Sequence, residues 1–280
     1  MNLSEASGIY AGGTAQTAAF VGKELVWPDF LPTAIPGLRL WLDAAAGLFD
    51  ATTGGNPVTT QGGTIARWED KSGNNRHATS SAGPTLALNQ IASKPVIRFG
   101  GSSFFKIPSS ITGFTASTAF VVVRPSGYLN YAGGPLFGNI GAATLDFGAS
   151  HYPYTSASAI YDSFASSTRK QFSVPTGFID HGYLYNWHIY NVVSAQNDWR
   201  YLFNGSVHFS TTSNTYDTST VIPAGGSVSE WGPFLGRSKV SDTQSAYFIG
   251  DIAEILVYGA ALSYTDIFRV TSYLRKKYSI

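Results

Sequence analysis

From Leu38 onward the chain reads as short apolar-rich runs separated by clusters of Gly, Pro, Asn and Ser, the pattern of strands joined by turns. The clearest runs are LRLWLDA, KPVIRFG, STAFVVVRP, NWHIYNVVSA, WRYLFNG and YFIGDIAEILVYG. In WRYLFNG, Arg200, Leu202 and Asn204 alternate with Tyr201 and Phe203, which predicts one apolar face and one open face. Ala119 to Val123 is apolar throughout, as expected of a central strand covered on both sides. The C-terminal stretch has helical spacing instead. Ser263 is placed to cap it, Asp266 follows three residues on, and Ile267, Val270 and Leu274 form one apolar stripe that leaves Arg269, Arg275 and Lys276 outward. The pattern predicts an all-β sandwich closed by a short C-terminal helix.

Residues 1–37 read differently. Met1 to Gly13 is small and polar, with no periodicity to bury. TAAFVGKELVWP holds two apolar runs around Gly22 and Lys23, which predicts a hairpin stopping at Pro28. A lone hairpin is marginal in water. Residues 1–30 are therefore expected to be an attachment segment that orders against a partner, with Phe20, Val21, Leu25 and Trp27 as its contacts. DFLPTAIPG, with Pro32 and Pro36, reads as a stiff linker over 31–37, and 38–280 as one domain.

Composition narrows the class. Charged residues are 12% of the chain against 14% aromatic and 30 glycines, so Ser, Thr, Asn, Gly and Tyr must cover much of the surface. That suits extracellular β-proteins and assembly subunits. A formal net charge of +1 gives no field to gather phosphates, which argues against a nucleic-acid partner. The cluster Arg275, Lys276 and Lys277 falls in the last helical turn, where the helix dipole favours cations. With no Cys, neither a disulfide framework nor a thiolate metal site is available. No run approaches the ~18 apolar residues of a membrane span, and no secretory leader pattern opens the chain.

The blocks LWLDAAAG, ARWEDKSGNNRHAT, KPVIRFGGSSFFKIP, TAFVVVRP, LFNGS, FLGRS and AYFIGDIAEILVYGAALSYTDIFRVTSYLRKKYSI resemble, in that order, the laminin G-like jelly-roll modules of the concanavalin A-like superfamily. The resemblance spans Leu38 to Ile280, and its last block is the most specific. It implies two packed antiparallel sheets of about six or seven strands each, one of them concave. GGTAQTAAFVGKELVWP resembles leader segments of tailed-phage structural proteins.

Candidate chemistry is sparse. Asp70 and Asn74, in WEDKSGNNRH, could supply oxygens to Ca²⁺, which some members of the superfamily hold near a sheet rim; the competing reading is a turn in which both cap backbone amides while Trp68 enters the core. Asp251 and Glu254 invite comparison with paired glycosidase carboxylates. Residues three apart on a regular strand face opposite sides, so these two could not flank one bond without a bulge, and no E-x-D-x-x-E strand is present. The five histidines, His77, His151, His181, His188 and His208, lack metal-binding spacing and are expected in loops or on sheet surfaces. Aromatic side chains gather between Tyr128 and Tyr190. Tyr128, Tyr131, Tyr152, Tyr154, Tyr161, Tyr185 and Trp187 are the candidates for stacking on sugars or partners, with core filling as the alternative.

These readings and the resemblance imply a non-enzymatic virion structural protein of a tailed phage, a capsid decoration, head-fibre or tail-fibre subunit at the virion surface. Its N-terminal segment would bind other virion proteins, its sandwich could hold host-surface glycans, and a homo-oligomer such as a trimer is expected. The alternative is a carbohydrate-binding module of an extracellular or bacterial cell-surface protein; a glycoside hydrolase or lyase fits less well. Apart from Ca²⁺, no cofactor is expected, and neither is a nucleic-acid or membrane partner.

Overall fold

The computed structural model describes residues 9–11, 14–16, 19–21, 24–27, 30–108, 113–126, 151–154, 159–173, 183–217, 234–239 and 245–280. An eight-stranded antiparallel sheet forms one layer. Its strands are β1 (Leu38–Asp43), β2 (Thr85–Ile91), β3 (Lys94–Gly100), β4 (Ala116–Pro125), β5 (His188–Ala195), β6 (Asp198–Phe203), β7 (Ser206–Thr211) and β8 (Ile249–Tyr258). They run in the order β2-β3-β8-β4-β5-β6-β7, with β1 also paired to β8. The facing layer consists of a six-stranded sheet of short strands and a three-stranded sheet over His151–Tyr154, Ala159–Asp162 and Lys170–Ser173. The chain is thus an antiparallel β-sandwich, with the large sheet broader than the resemblance implied.

Both faces of the large sheet are covered. Leu40, Val121, Val123, Val192, Ile255 and Val257 point into the core between the layers, against Trp68, Phe105, Ile160 and Leu235. Phe120, Val122, Ile189, Leu202 and Leu256 point the other way, onto the helix α1 (Tyr264–Tyr278) through Ile267, Val270 and Leu274. Ala119 to Val123 is buried throughout, as its unbroken apolar run predicts. The face of β6 expected to be open is instead covered at Leu202, where α1 packs. The Asn204-Gly205 pair turns β6 into β7 with both residues at positive φ, the geometry a two-residue hairpin favours.

The helix begins as its sequence predicts, with the Asp266 amide donating to Ser263 Oγ at 3.1 Å. Its end does more than counter a dipole. Lys277 Nζ bonds Glu254 at 2.6 Å and Asp43 at 2.9 Å, and Lys71 reaches Asp43 at 2.7 Å. Trp41 Nε1 and the Tyr273 and Tyr278 hydroxyls also donate to Glu254. Two lysines balance two buried carboxylates, so charge closes locally and the carboxylate oxygens are supplied with donors. Burial and the neighbouring Asp43 push the Glu254 carboxyl up. Burial acts upward on Asp43 too, but Lys277 and Lys71 outweigh it and hold that carboxyl below its ordinary value.

Two expectations about the leading segment change. Ile9–Ala11 pairs with Thr14–Gln16, a hairpin where no pattern was read; the predicted hairpin also forms, Ala19–Val21 with Glu24–Trp27. The stretch read as a stiff linker is docked. Pro32 and Ile35 are buried, the Tyr258 hydroxyl donates to the Pro32 carbonyl at 3.0 Å, and Phe30 packs edge-on against Tyr273 with Arg269 over its other side. Phe30, Pro32 and Ile35 together dock the segment.

Candidate functional site

The sequence-predicted residues separate once placed. Tyr128 and Tyr131 lie outside the described residues, as do the side chains of Tyr154, Phe20, Val21, Leu25 and Trp27. Tyr152 is 1% exposed and belongs to the core between the layers. Tyr161 is partly exposed, with Arg169 stacked over its ring at 4.5 Å. Trp187 packs against the helix-side core while Arg124 covers it at 4.9 Å, and Tyr185 is partly buried beside it in sequence. An arginine thus lies over one face of Tyr161 and one face of Trp187.

Asp70 and Asn74 come together, but as braces. Asp70 accepts the amides of Trp41, Ser72 and Arg76 and the Ser72 hydroxyl, at 2.8 to 2.9 Å. Asn74 Nδ2 donates to Ser72 Oγ and to the carbonyls of Leu38 and Arg39. A Ca²⁺ ion here would have to displace those donors from both Asp70 oxygens. Among the described residues no three His, Cys, Asp or Glu side chains cluster as metal ligands.

His188, expected at the surface, is fully buried. Its Nδ1 meets the Asn186 carbonyl at 2.9 Å, so that nitrogen carries the proton and Nε2 accepts from the Tyr152 hydroxyl at 2.6 Å. Tyr201 meets Tyr152 at 3.0 Å, and the nearby Tyr190 hydroxyl donates to Asp162. Burial pushes Asp162 up to about 6 despite the hydrogen bonds from Tyr190, Phe164 and Ser163, and pushes His188 down to about 4. This network fixes the three-stranded sheet onto β5 and β6. It is sealed from solvent and offers a ligand no access.

A groove open to solvent lies elsewhere on the described surface. It measures roughly 430 Å³ and runs between α1 and the β6–β7 turn. Tyr264 and Phe268, one helical turn apart, line it and are 62% and 38% exposed. Asn204, Gly205 and Ser206 line it from the turn, and Ile267, Thr271, Ser272, Arg275 and Lys276 from the helix. Arg200 lies under the Tyr264 ring at 4.8 Å and is itself held by Asp198 at 3.0 Å, so the ring is propped from one side. Thr271 is buried, and its hydroxyl oxygen has no hydrogen-bond partner. The Phe30, Arg269, Tyr273 and Lys277 contacts occupy the other flank of the helix, since they fall about half a turn away from the Tyr264–Phe268–Arg275 row.

Among solved structures, the chain is similar to domain 4 of AbnA, a GH43 extracellular arabinanase from Geobacillus stearothermophilus, in complex with arabinotriose. Identity is 14% and the TM-score 0.54, over 84% of this chain and 98% of that one. The botulinum neurotoxin type G receptor-binding domain gives 14% identity and a TM-score of 0.51 over 85% of this chain, which spans about half (51%) of that one. At such identities the likeness establishes the fold. No family model and no curated protein matches the chain.

Sequence reasoning passed over Tyr264 and Phe268 because attention fell on the apolar stripe of the helix. The signal was nevertheless present: two rings at i and i+4, both off the Ile267–Val270–Leu274 stripe, must stand on its flank. For the paired carboxylates, the exception stated from sequence, a bulge, is what the structure has. β8 is bulged: Val122 pairs with Glu254 and Val123 with Ile252, leaving Ala253 as an extra residue. Asp251 and Glu254 therefore share the helix-side face. Each is committed there, Asp251 to Arg98 at 2.8 Å and Arg124 at 2.6 Å, and Glu254 to Lys277.

Proposed function

We propose that this chain is a non-catalytic, lectin-like recognition domain that binds carbohydrate in the groove between α1 and the β6–β7 turn. The observation that carries this reading is the pair of exposed rings, Tyr264 and Phe268, lining one groove together with Asn204, Ser206 and Ser272. Flat apolar faces suit the C–H faces of sugars, and neighbouring polar groups suit their hydroxyls. Arabinotriose in the similar domain 4 structure supports a saccharide ligand. A non-catalytic role is supported by the commitment of Asp251 and Glu254 to buried ion pairs, since acid–base hydrolysis needs two carboxyl groups free to face one bond.

The finer reading is display on the virion of a tailed phage, as a decoration, head-fibre or tail-fibre subunit attached through residues 1–30. It is supported by the leader resemblance, the weakly charged composition, and the docking of Phe30 against Tyr273, on the flank of the helix away from the groove. Multivalent display would raise weak single-site affinity.

The test pairs two assays on host-surface and plant-type polysaccharides: retention of the protein, and release of reducing ends. Retention that is lost in Tyr264→Ala and Phe268→Ala, without reducing ends, is the expected result. Reducing ends that vanish in Glu254→Gln would overturn it. Labelling of purified phage particles with antibody to this chain checks the virion reading, which fails if particles carry no label.

A further inference from the structure

Asp251 stands at the centre of a row that crosses three strands of the large sheet. Its register partners are Arg98 on β3 and Arg124 on β4, so the three side chains share the helix-side face. Arg98 alone satisfies the carboxylate, through Nε to Oδ1 at 2.8 Å and Nη2 to Oδ2 at 3.0 Å. Arg124 is therefore surplus to the neutralisation of Asp251. Its Nη2 meets the acceptors already used by Arg98 Nη2, Asp251 Oδ2 at 2.6 Å and Gln90 Oε1 at 3.3 Å, and its guanidinium rests on the Trp187 ring at 4.9 Å. Two like charges are held side by side over one carboxylate, which is the only one that either meets among the described residues. One positive charge remains, and it is accessible: the Arg98 and Arg124 side chains are 42% and 31% exposed, against 3% for Asp251. Nη1 of each guanidinium takes no part in these bonds.

We infer that this row is an oxyanion site, which takes a phosphate or sulfate group between the Arg98 and Arg124 guanidiniums. Asp251 and the Trp187 ring fix both guanidiniums before a ligand arrives, so little side-chain freedom is lost on binding. A carboxylate, with two oxygens in one plane, suits a single fork, and the fork of Arg98 is already filled by Asp251. Donors left on two separate guanidiniums suit oxygens that point in several directions, as those of a tetrahedral anion do. The free ion and an ester carried on a sugar both present that group. The site shares no residue with the groove between α1 and the β6–β7 turn, and does not depend on the carbohydrate reading of it.

The experiment is an NMR titration of the full chain, at matched ionic strength, with inorganic phosphate, glucose 6-phosphate, inorganic sulfate and acetate. It follows the Trp187 indole N–H and the Arg98 and Arg124 Nε–H signals. Saturable shifts are expected with phosphate and sulfate, about tenfold tighter than with acetate, and weakening when ionic strength is raised. Arg98→Gln and Arg124→Gln each leave Asp251 one guanidinium, and either should weaken phosphate binding about tenfold. Tighter binding of glucose 6-phosphate than of phosphate identifies an ester as the ligand, and the reverse the free ion; both uphold the site. Shifts that stay linear in anion concentration, acetate binding as tight as phosphate, or affinity unchanged in both variants would mean that the row is a cross-strand brace and no more. The comparison of phosphate with acetate uses wild-type protein, so it decides the question even if a variant loses its fold.

Discussion

The Lys277 ammonium stands 2.6 Å from the Glu254 carboxylate, joining the last turn of the helix to the middle of β8 across the second core. Removing the cation leaves Glu254 and Asp43, both buried, with one lysine between them. Lys277→Met is expected to cost about 3–5 kcal/mol in urea denaturation. Combining it with Glu254→Gln should recover part of that loss, because the uncompensated charge goes with the carboxylate.

Leu274 anchors the same helix from its apolar side. It is buried between α1 and the large sheet, so Leu274→Ala should cost about 2–5 kcal/mol, with an unchanged denaturant slope. A cost near zero would mean that the helix is peripheral to the cooperative unit.

The docked segment predicts where truncation becomes harmful. Removing residues through Gly13 should leave the thermal transition nearly in place, since that keeps Glu24–Trp27, which lies against α1. Removing them through Pro36 strips Phe30 and Ile35 from the helix-side core and the Pro32 carbonyl from Tyr258, and should lower the melting temperature by several degrees, as a loss of a few kcal/mol does.

Asp162 and His188 make opposite demands on pH. The folded protein raises Asp162 from 3.8 to about 6, so it binds this proton more tightly than the unfolded chain, and that contribution is lost as pH rises from 3.8 to 6. Folding lowers His188 from 6.5 to about 4, so its contribution is present above 6.5 and lost as pH falls to 4. Each is worth on the order of 3 kcal/mol, and over the shared window they nearly cancel. The tyrosines of the network titrate far above it. The two contributions should nearly cancel in the wild type; relative to it, Asp162→Asn should lose stability on acidification, and His188→Gln should lose it as pH rises. Parallel profiles for all three proteins would show that the two groups do not titrate as described.

Gly83 tests how tightly the rim is built. A Cβ there would strike the Ile65 carbonyl, where residues 63–65 run against 84–86, and the obstacle is backbone that cannot rotate away. Gly83→Ala is expected to cost about 1–3 kcal/mol or more by denaturation.

Much of the sandwich was legible because period-two runs and turn residues are local signals. LRLWLDA, KPVIRFG and WRYLFNG each became a strand, and the Ser263 cap and the Ile267–Val270–Leu274 stripe fixed the helix. What was not legible depended on partners distant in sequence. Nothing near Leu202 announces that α1 will cover it, and nothing near His188 announces the Tyr152 hydroxyl that satisfies it. The region between Tyr128 and Tyr190 is rich in aromatics, yet Tyr152 turned inward and Trp187 met Arg124, whereas Tyr264 and Phe268 on the helix remain exposed.

The extra residue in β8 also governs how this chain compares with others. Ala253 and Glu254 both face the helix, so Ile252 and Ile255 can both reach the inter-sheet core although they are three apart. Against a relative whose strand runs straight, letters matched without a gap fall out of step beyond Ala253, and residues with the same job cease to align. Physically, the shortening of this strand by one residue preserves the inward and outward roles of its neighbours only if the residue lost is at the bulge. Anywhere else along 249–258, a single deletion would send the hydrophobic letters of the GDIAEILVY signature to the opposite face.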